Sequence, residues 1–322
     1  MARSQLDRCV ANSNPMSLSD PIPSQRVEFP TLVVAFVIFT GFVSTTLSFD
    51  SMPLWIAAPL CGVLLAWYGS LQHETIHGHP SPWASFNTLL GWAPLSLWIP
   101  YARYRGTHLE HHANQGHHLT EIPYDPESFY LPRGSVARFG PLRHALHQAN
   151  CTLLGRVVIG PAIAVLGFWS SDARAILAGD RRRLIIWARH ALGAAVVLWW
   201  VVAVCHISVG VYAALVVYPS IALTHLRSYV EHYADVDPRR RTRVVESNPL
   251  WSLLFLNNNL HIAHHAQPQT PWYRLPRAWR DMRPARGERH LIFSGYRDVL
   301  RRYLVRPYIT VEHPMSGGRR QS

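Results

Sequence analysis

The chain has 322 residues, 31 basic against 19 acidic, every basic residue is arginine, and the net charge is +12. That charge leaves nucleic acid, anionic lipid or an acidic protein as partners, and without any nucleic-acid-binding motif the last two lead. Mean hydropathy is near zero, but long apolar runs alternate with arginine-rich stretches, the pattern of an integral membrane protein with sizeable aqueous parts and not of a soluble enzyme.

Residues 1–30 are polar and rich in Ser and Pro, and read as a disordered tail and not as a cleaved signal peptide. Thr31 to Ser48 is charge-free and long enough to span a bilayer; after the turn Asp50-Ser51-Met52-Pro53, a second span runs from Pro53 to Leu71. It ends on the first histidine cluster, His73-Glu74-Thr75-Ile76-His77. Trp83 to Pro100 is apolar but broken by Gly91, Pro94 and Pro100, and the second cluster, His108-Leu109-Glu110-His111-His112, follows it. If both clusters serve one site, that stretch cannot cross the bilayer once, so an interfacial or re-entrant segment is predicted. Cys151 to Trp169, with Arg156 and Gly160-Pro161 inside, is expected to stay on one side as well. A second pair of spans is predicted at Leu184–Cys205 and Ile207–Thr224, joined near His206 without arginine. Arginines collect in 103–183 and 227–320, which puts both termini and all histidine clusters in the cytoplasm. The third cluster is His261-Ile262-Ala263-His264-His265, and residues 313–322 read as a second disordered tail. The four cysteines, Cys9, Cys61, Cys151 and Cys205, form no CxxC. That excludes a cysteine-ligated zinc ribbon and argues against an iron–sulfur site; three of them lie in or beside apolar runs and read as core residues.

Each histidine cluster places imidazoles at i and i+4, or at i, i+3 and i+4, so on a helix each aims its rings at one point. With 19 histidines in the chain, one such array can arise by accident; two HxxHH arrays and one HxxxH, each beside an apolar segment, make accident a poor account. Eight convergent imidazoles (His73, His77, His108, His111, His112, His261, His264, His265) exceed what one ion takes and suggest a two-metal centre of iron, copper, zinc or nickel. His232, carried past the fourth span on its helix to the depth of the first cluster, is a plausible ninth ligand, and His225, two turns earlier, a weaker candidate. Glu74, Glu110 and Glu231 sit among the rings as candidates to hold a ligand's second N–H. His79, His117, His118, His144 and His147 read as surface or supporting residues. Two readings from other classes stand beside this. His73-Glu74-Thr75-Ile76-His77 also matches HExxH, the zinc-protease helix with Glu74 as base, but that leaves the other six clustered histidines idle. A metal carrier or sensor would not need such regular helical spacing.

HxxxH after the second span, HxxHH about thirty residues on, a span pair and a C-terminal HxxHH together resemble the membrane fatty acid desaturase and hydroxylase superfamily, over roughly His73 to Pro276. The run Asn257-Asn258-Asn259-Leu260-His261-Ile262-Ala263-His264-His265, followed by Pro271-Trp272-Tyr273-Arg274-Leu275-Pro276, is similar to the bacterial branch. Tyr229-Val230-Glu231-His232-Tyr233 resembles a motif of membrane alkane hydroxylases in which the matching histidine is a ligand. The third box carries His261 where front-end desaturases have Gln, the first box is shorter than that of animal acyl-CoA desaturases, and no fused cytochrome b5 motif is present. The resemblance implies an all-α, four-span membrane protein, with a single desaturase-like domain over 31–312. A cytoplasmic helical cap would hold two iron ions on the nine histidines, with no catalytic or cofactor-binding residue beyond them. It further implies activation of dioxygen with electrons from a separate ferredoxin, rubredoxin or cytochrome b5-type donor, a lipid or acyl substrate, and residence in a bacterial inner membrane. Desaturation of a fatty acyl chain is the leading activity; hydroxylation or ketolation of an acyl chain, alkane or carotenoid is the alternative.

Overall fold

The computed structural model describes residues 21, 23–114, 118–282 and 286–315. In chain order its principal helices are α1 (Phe29–Leu47), α2 (Leu54–Ile76), α3 (Ala84–Trp92), α4 (Tyr101–Ala113), α5 (Pro141–Asn150), α6 (Leu153–Val158) and α7 (Gly160–Leu177). They continue as α8 (Arg181–Val204), α9 (Val209–Ser228), α10 (Pro249–Leu254), α11 (His261–Ala266), α12 (Leu275–Met282) and α13 (Tyr296–Tyr303). Two short parallel strands, β1 (Val244–Val245) and β2 (Ile292–Phe293), pair Val244 with Ile292. The protein is therefore mostly helical, as the resemblance implies. Among the described residues four helices, α1, α2, α8 and α9, are long and apolar enough to cross a membrane, and they fall on the four predicted spans. Trp83–Pro100 and Cys151–Trp169 are not among them.

The chain divides into two compact units. The spanning unit holds residues 23–106 and 160–225. There α2 packs against α1, α3 and α9. Gly62 faces α9 there, where a Cβ would stand in ordinary contact, 3.4 Å, with the Val216 carbonyl oxygen. α8 turns its apolar Leu192, Val196 and Trp199 outward, as a lipid-facing helix does. α8 and α9 each contain a π-helical stretch, Trp200–Val204 and Tyr212–Val217.

The non-helical stretch after α3 explains why Trp83–Pro100 is no span. Pro94 ends the helix, and irregular backbone in an apolar setting must find its hydrogen bonds locally. Side chains of the same unit supply them. Tyr68 OH donates to Leu90 O, and Gln72 Nε2 donates to Gly91 O at 2.7 Å. Tyr212 OH donates to Leu95 O, Trp169 Nε1 donates to Trp98 O, and His190 Nε2 lies 2.8 Å from Leu97 O. Asp172 on α7 is buried and receives Arg103 in a two-pronged contact at 2.9 Å, Arg183 at 3.4 Å and Trp187 Nε1 at 2.8 Å. It ties the start of α4 and the start of α8 to α7.

The polar unit holds residues 107–159 and 226–315 as far as they are described. α11 and α12 bury Leu260, Ile262, Ala263, Leu275, Trp279 and Met282 together with Leu291 and Val244. Each full burial of a large side chain contributes roughly 1.5–3 kcal/mol. A second cluster joins Tyr229, Val230, Phe255, Phe293, Tyr296 and Val299. These cores frame the turn after α9 and the short helix α11, both of which carry predicted ligands. Cys61, Cys151 and Cys205 are buried and free, as small core residues.

Candidate metal centre

Two helices of the polar unit carry the HxxHH arrays. α4 places His108, His111 and His112 on one face, and α11 does the same with His261, His264 and His265; all six are buried. α11 starts after a tight reversal in which Leu256 and Asn257 take positive φ of 46° and 56°, a conformation Asn tolerates better than Leu. His232 does not ride on α9 as expected, because that helix ends at Ser228. The residue sits instead in the turn beyond, bridged to Thr242 and fixed by Arg243 N donating to Glu231 O and Tyr233 N donating to Arg241 O.

Two groups of imidazole nitrogens result. In one, His111, His232, His261 and His265 bring ligand atoms within 4.8 Å of one another. Their Nε2 atoms stand 3.1 Å apart for His111 and His232, 2.9 Å for His232 and His261, and 3.1 Å for His261 and His265. In the other, His112 Nε2 lies 3.1 Å from both His108 Nε2 and His264 Nε2. An ion bound at about 2.1 Å by nitrogens at right angles keeps neighbouring nitrogens about 3.0 Å apart. The two groups therefore fit two ions held by neutral imidazole. Among the described residues the buried Nδ1 atoms of His232 and His265 have no hydrogen-bond partner, so these rings are oriented by packing.

Other rings are oriented from behind. His111 Nδ1 lies 2.8 Å from Asp125 Oδ1, His108 Nδ1 lies 3.1 and 3.2 Å from the two Glu127 oxygens, and His261 Nδ1 lies 3.0 Å from Asn258 Oδ1. An acceptor at Nδ1 keeps the proton there and frees the Nε2 lone pair for a metal. Burial disfavours charge on His111, His232, His261 and His265. For His111 the neighbouring Asp125, with Glu127 and Glu231, overcomes burial and lifts its pKa to about 9. Burial, with His111 beside it, depresses His232 to about 3. Burial also drives His261 and His265 well below the usual histidine range, helped by the neighbouring rings. Burial pushes Glu231 up to about 7 against the pull of Arg227, its partner at 3.0 Å.

In the spanning unit, α2 carries His73 and is capped by His77, both buried, with ring centroids 4.9 Å apart. Of the carboxylates expected among the rings, Glu74 lies 4.0 Å from His73 Nδ1 and Glu231 lies 3.8 Å from His261 Nδ1, whereas Glu110 is exposed. The close partners are Asp125 and Glu127, which the sequence did not single out, and Asn258, which it named only within the run leading to the third cluster. His79 is not a surface residue: it is buried and its Nδ1 stands 2.6 Å from Glu28 Oε1. His118 is partly exposed beside Glu121, His144 is half-buried beside Gln148, and His225 is buried on α9 and belongs to neither group. His117 lies outside the described residues.

A family model described as fatty acid desaturase matches residues 50–297, from the turn between α1 and α2 into α13. No curated protein matches the chain.

Proposed function

Because this chain belongs to the fatty acid desaturase family, we propose that it introduces a double bond into a long apolar acyl chain, using dioxygen, two iron ions and electrons from a separate protein. The observation that carries this reading is the pair of buried imidazole groups with Nε2 spacings of 2.9–3.1 Å in a protein whose other half is four apolar spans. An all-imidazole donor set agrees with iron in softness and geometry. When bound, the iron pair would activate dioxygen, which, with two electrons from the donor, is the oxidant that takes hydrogen from an unactivated C–H bond.

The protein's own residues hold that pair and keep it dry. The proposed ligands are His111, His232, His261 and His265 for one ion and His108, His112 and His264 for the other. His73 and His77 are assigned to the same centre on their i, i+4 spacing at the end of a span. Asp125, Glu127 and Asn258 keep protons on the Nδ1 atoms of His111, His108 and His261, so that Nε2 is the ligating atom. Burial holds His232, His261 and His265 neutral, as a metal ligand must be. The substrate is a lipid or acyl chain whose tail enters among the spans. The electron donor, of ferredoxin, rubredoxin or cytochrome b5 type, approaches an arginine-rich surface by charge complementarity. We place the centre on the cytoplasmic side of a bacterial inner membrane by the distribution of arginine.

The protease alternative requires Glu74 as base and leaves seven converging imidazoles without a role; replacing Glu74 by Gln in a peptide-hydrolysis assay tests it directly. The main test is lipid profiling of a host that expresses the chain, against a His111→Ala control. A new double bond in the acyl pool is expected. A new hydroxyl or ketone assigns the chain to oxygenation instead, and an unchanged lipid profile beside a metal-loaded protein removes the acyl substrate.

A further inference from the structure

One loop serves both imidazole groups. Residues 118–128 carry Asp125 against His111 and Glu127 against His108. His111 belongs to one group and His108 to the other. The two supports differ in strength. The Asp125 side chain is 1% exposed and saturated: Oδ1 accepts from Glu127 N at 2.9 Å and faces His111 Nδ1, while Oδ2 accepts from Thr120 N at 2.7 Å. The Glu127 side chain is 30% exposed and its contacts to His108 are longer.

The loop is itself clamped. Arg241, buried at 4%, donates Nη1 to Leu119 O at 3.0 Å, meets Glu121 Oε1 at 2.9 Å and donates Nε to Asp235 O at 2.8 Å. Thr120 is held with a positive φ of 71°, unfavourable for a β-branched residue. Its carbonyl accepts from Ser128 Oγ at 2.8 Å and its hydroxyl meets His313 Nε2 at 3.3 Å. A strained residue fixed from several sides marks a segment whose shape is over-determined. Asp125 has to be an ionised double acceptor: an amide there offers one oxygen, so either Thr120 N–H or His111 Nδ1–H would face an NH2 group.

We propose that this loop is a shared carboxylate platform in which Asp125 and Glu127 are positioning residues, each responsible for one of the two metal positions, with Arg241 as the clamp common to both. The inference rests on the two-iron reading above and adds a division of labour to it. Loss of a group that orients a metal-bound histidine weakens metal binding by about 10- to 100-fold. Asp125, the better-anchored support, stands at the upper end of that range and Glu127 at the lower.

The test uses the full chain purified in detergent and titrated with 57Fe(II). Iron per chain is counted, and the two environments are resolved by Mössbauer spectroscopy. Wild type is expected to hold two irons in two distinguishable doublets. Asp125→Asn loses or shifts one doublet, Glu127→Gln perturbs the other more mildly, and Arg241→Lys, which keeps charge but not the planar fork, weakens both. Asp125→Glu retains more iron than Asp125→Asn, a comparison that also serves where Asn at that position folds poorly. The proposal is overturned if Asp125→Asn and Glu127→Gln both keep wild-type affinity and spectra, if each expels both irons together, or if Glu and Asn at position 125 retain iron equally. Absence of iron from the wild-type chain fails the two-iron reading itself; two irons in wild type with unchanged variants fails only the platform.

Discussion

His111 shows how much rests on single side chains. Its Nδ1 is engaged by Asp125, and its Nε2 lies 3.1 Å from His232 Nε2 in the middle of one imidazole group. His111→Ala removes a ligand and leaves Asp125 as a buried carboxylate without its ring. We expect iron per chain to fall from two to about one and turnover to fall by at least about 100-fold, read by metal analysis and product formation; two irons and full turnover would contradict the ligand assignment. Glu28 makes a second case, outside the metal groups. Burial alone would raise its pKa, but His79 at 2.6 Å, with help from Ser24 and Thr31, holds it below the usual 4.5. A carboxylate depressed in the folded state contributes stability that is fully present above about pH 4.5 and is lost as pH falls through the lower folded value. Glu28→Gln should therefore cost about 1–3 kcal/mol at neutral pH and flatten the acid side of the melting-temperature profile; a profile parallel to wild type would rule this out. At this scale the histidines were legible because i, i+3 and i+4 are local spacings. Asp125 and Glu127 were not, because they reach His111 and His108 from 14 and 19 positions further along the chain, beyond any helical spacing.

Helices α1, α2, α8 and α9 were legible from hydropathy alone, since a span must be long, apolar and internally hydrogen-bonded. The break after α3 was legible from Gly91, Pro94 and Pro100, but what satisfies its carbonyls was not, because the donors Tyr212, His190 and Trp169 come from later helices. Helix ends were the other gap: α9 stops at Ser228, so His232 reaches its group through a turn and not by helical phase. The packing of α2 against α3 gives a test at this scale. A Cβ on Gly91 would stand 2.5 Å from both Thr75 Oγ1 and the Tyr101 ring. Thr75 lies between His73 and His77 on α2, and its hydroxyl is bonded to Tyr101 OH at 2.9 Å. Gly91→Ala must push α3 away or rotate Thr75, at a cost of about 1–3 kcal/mol. The expected result is a lower melting temperature together with reduced iron retention. Wild-type melting and iron content would mean that the contact between these helices is slack.

Charge asymmetry sets the expectation for the molecule in its membrane. The turn at Asp50–Pro53 and the joint near His206 carry no arginine, whereas 103–183 and 227–320 are rich in it. Arginine is retained on the cytoplasmic side during insertion, and loops without it are free to cross. On the topology we propose, the four spans return the chain to the cytoplasm twice, after α2 and after α9. The proposed metal centre, fed by the proposed soluble donor, requires that sidedness, because such donors are kept reduced inside the cell. Single cysteines at exposed positions Ser51, Glu110, Ser208 and Arg301, placed in a chain with Cys9, Cys61, Cys151 and Cys205 replaced by Ala, make the prediction measurable with an impermeant maleimide. Positions 51 and 208 should label in intact spheroplasts, and positions 110 and 301 only after permeabilisation. Labelling of 110 from outside would place the second histidine array beyond the donor's reach. Labelling of 110 and 301 on opposite faces would separate α4 from α13 and dismantle the shared centre, whatever its metal content.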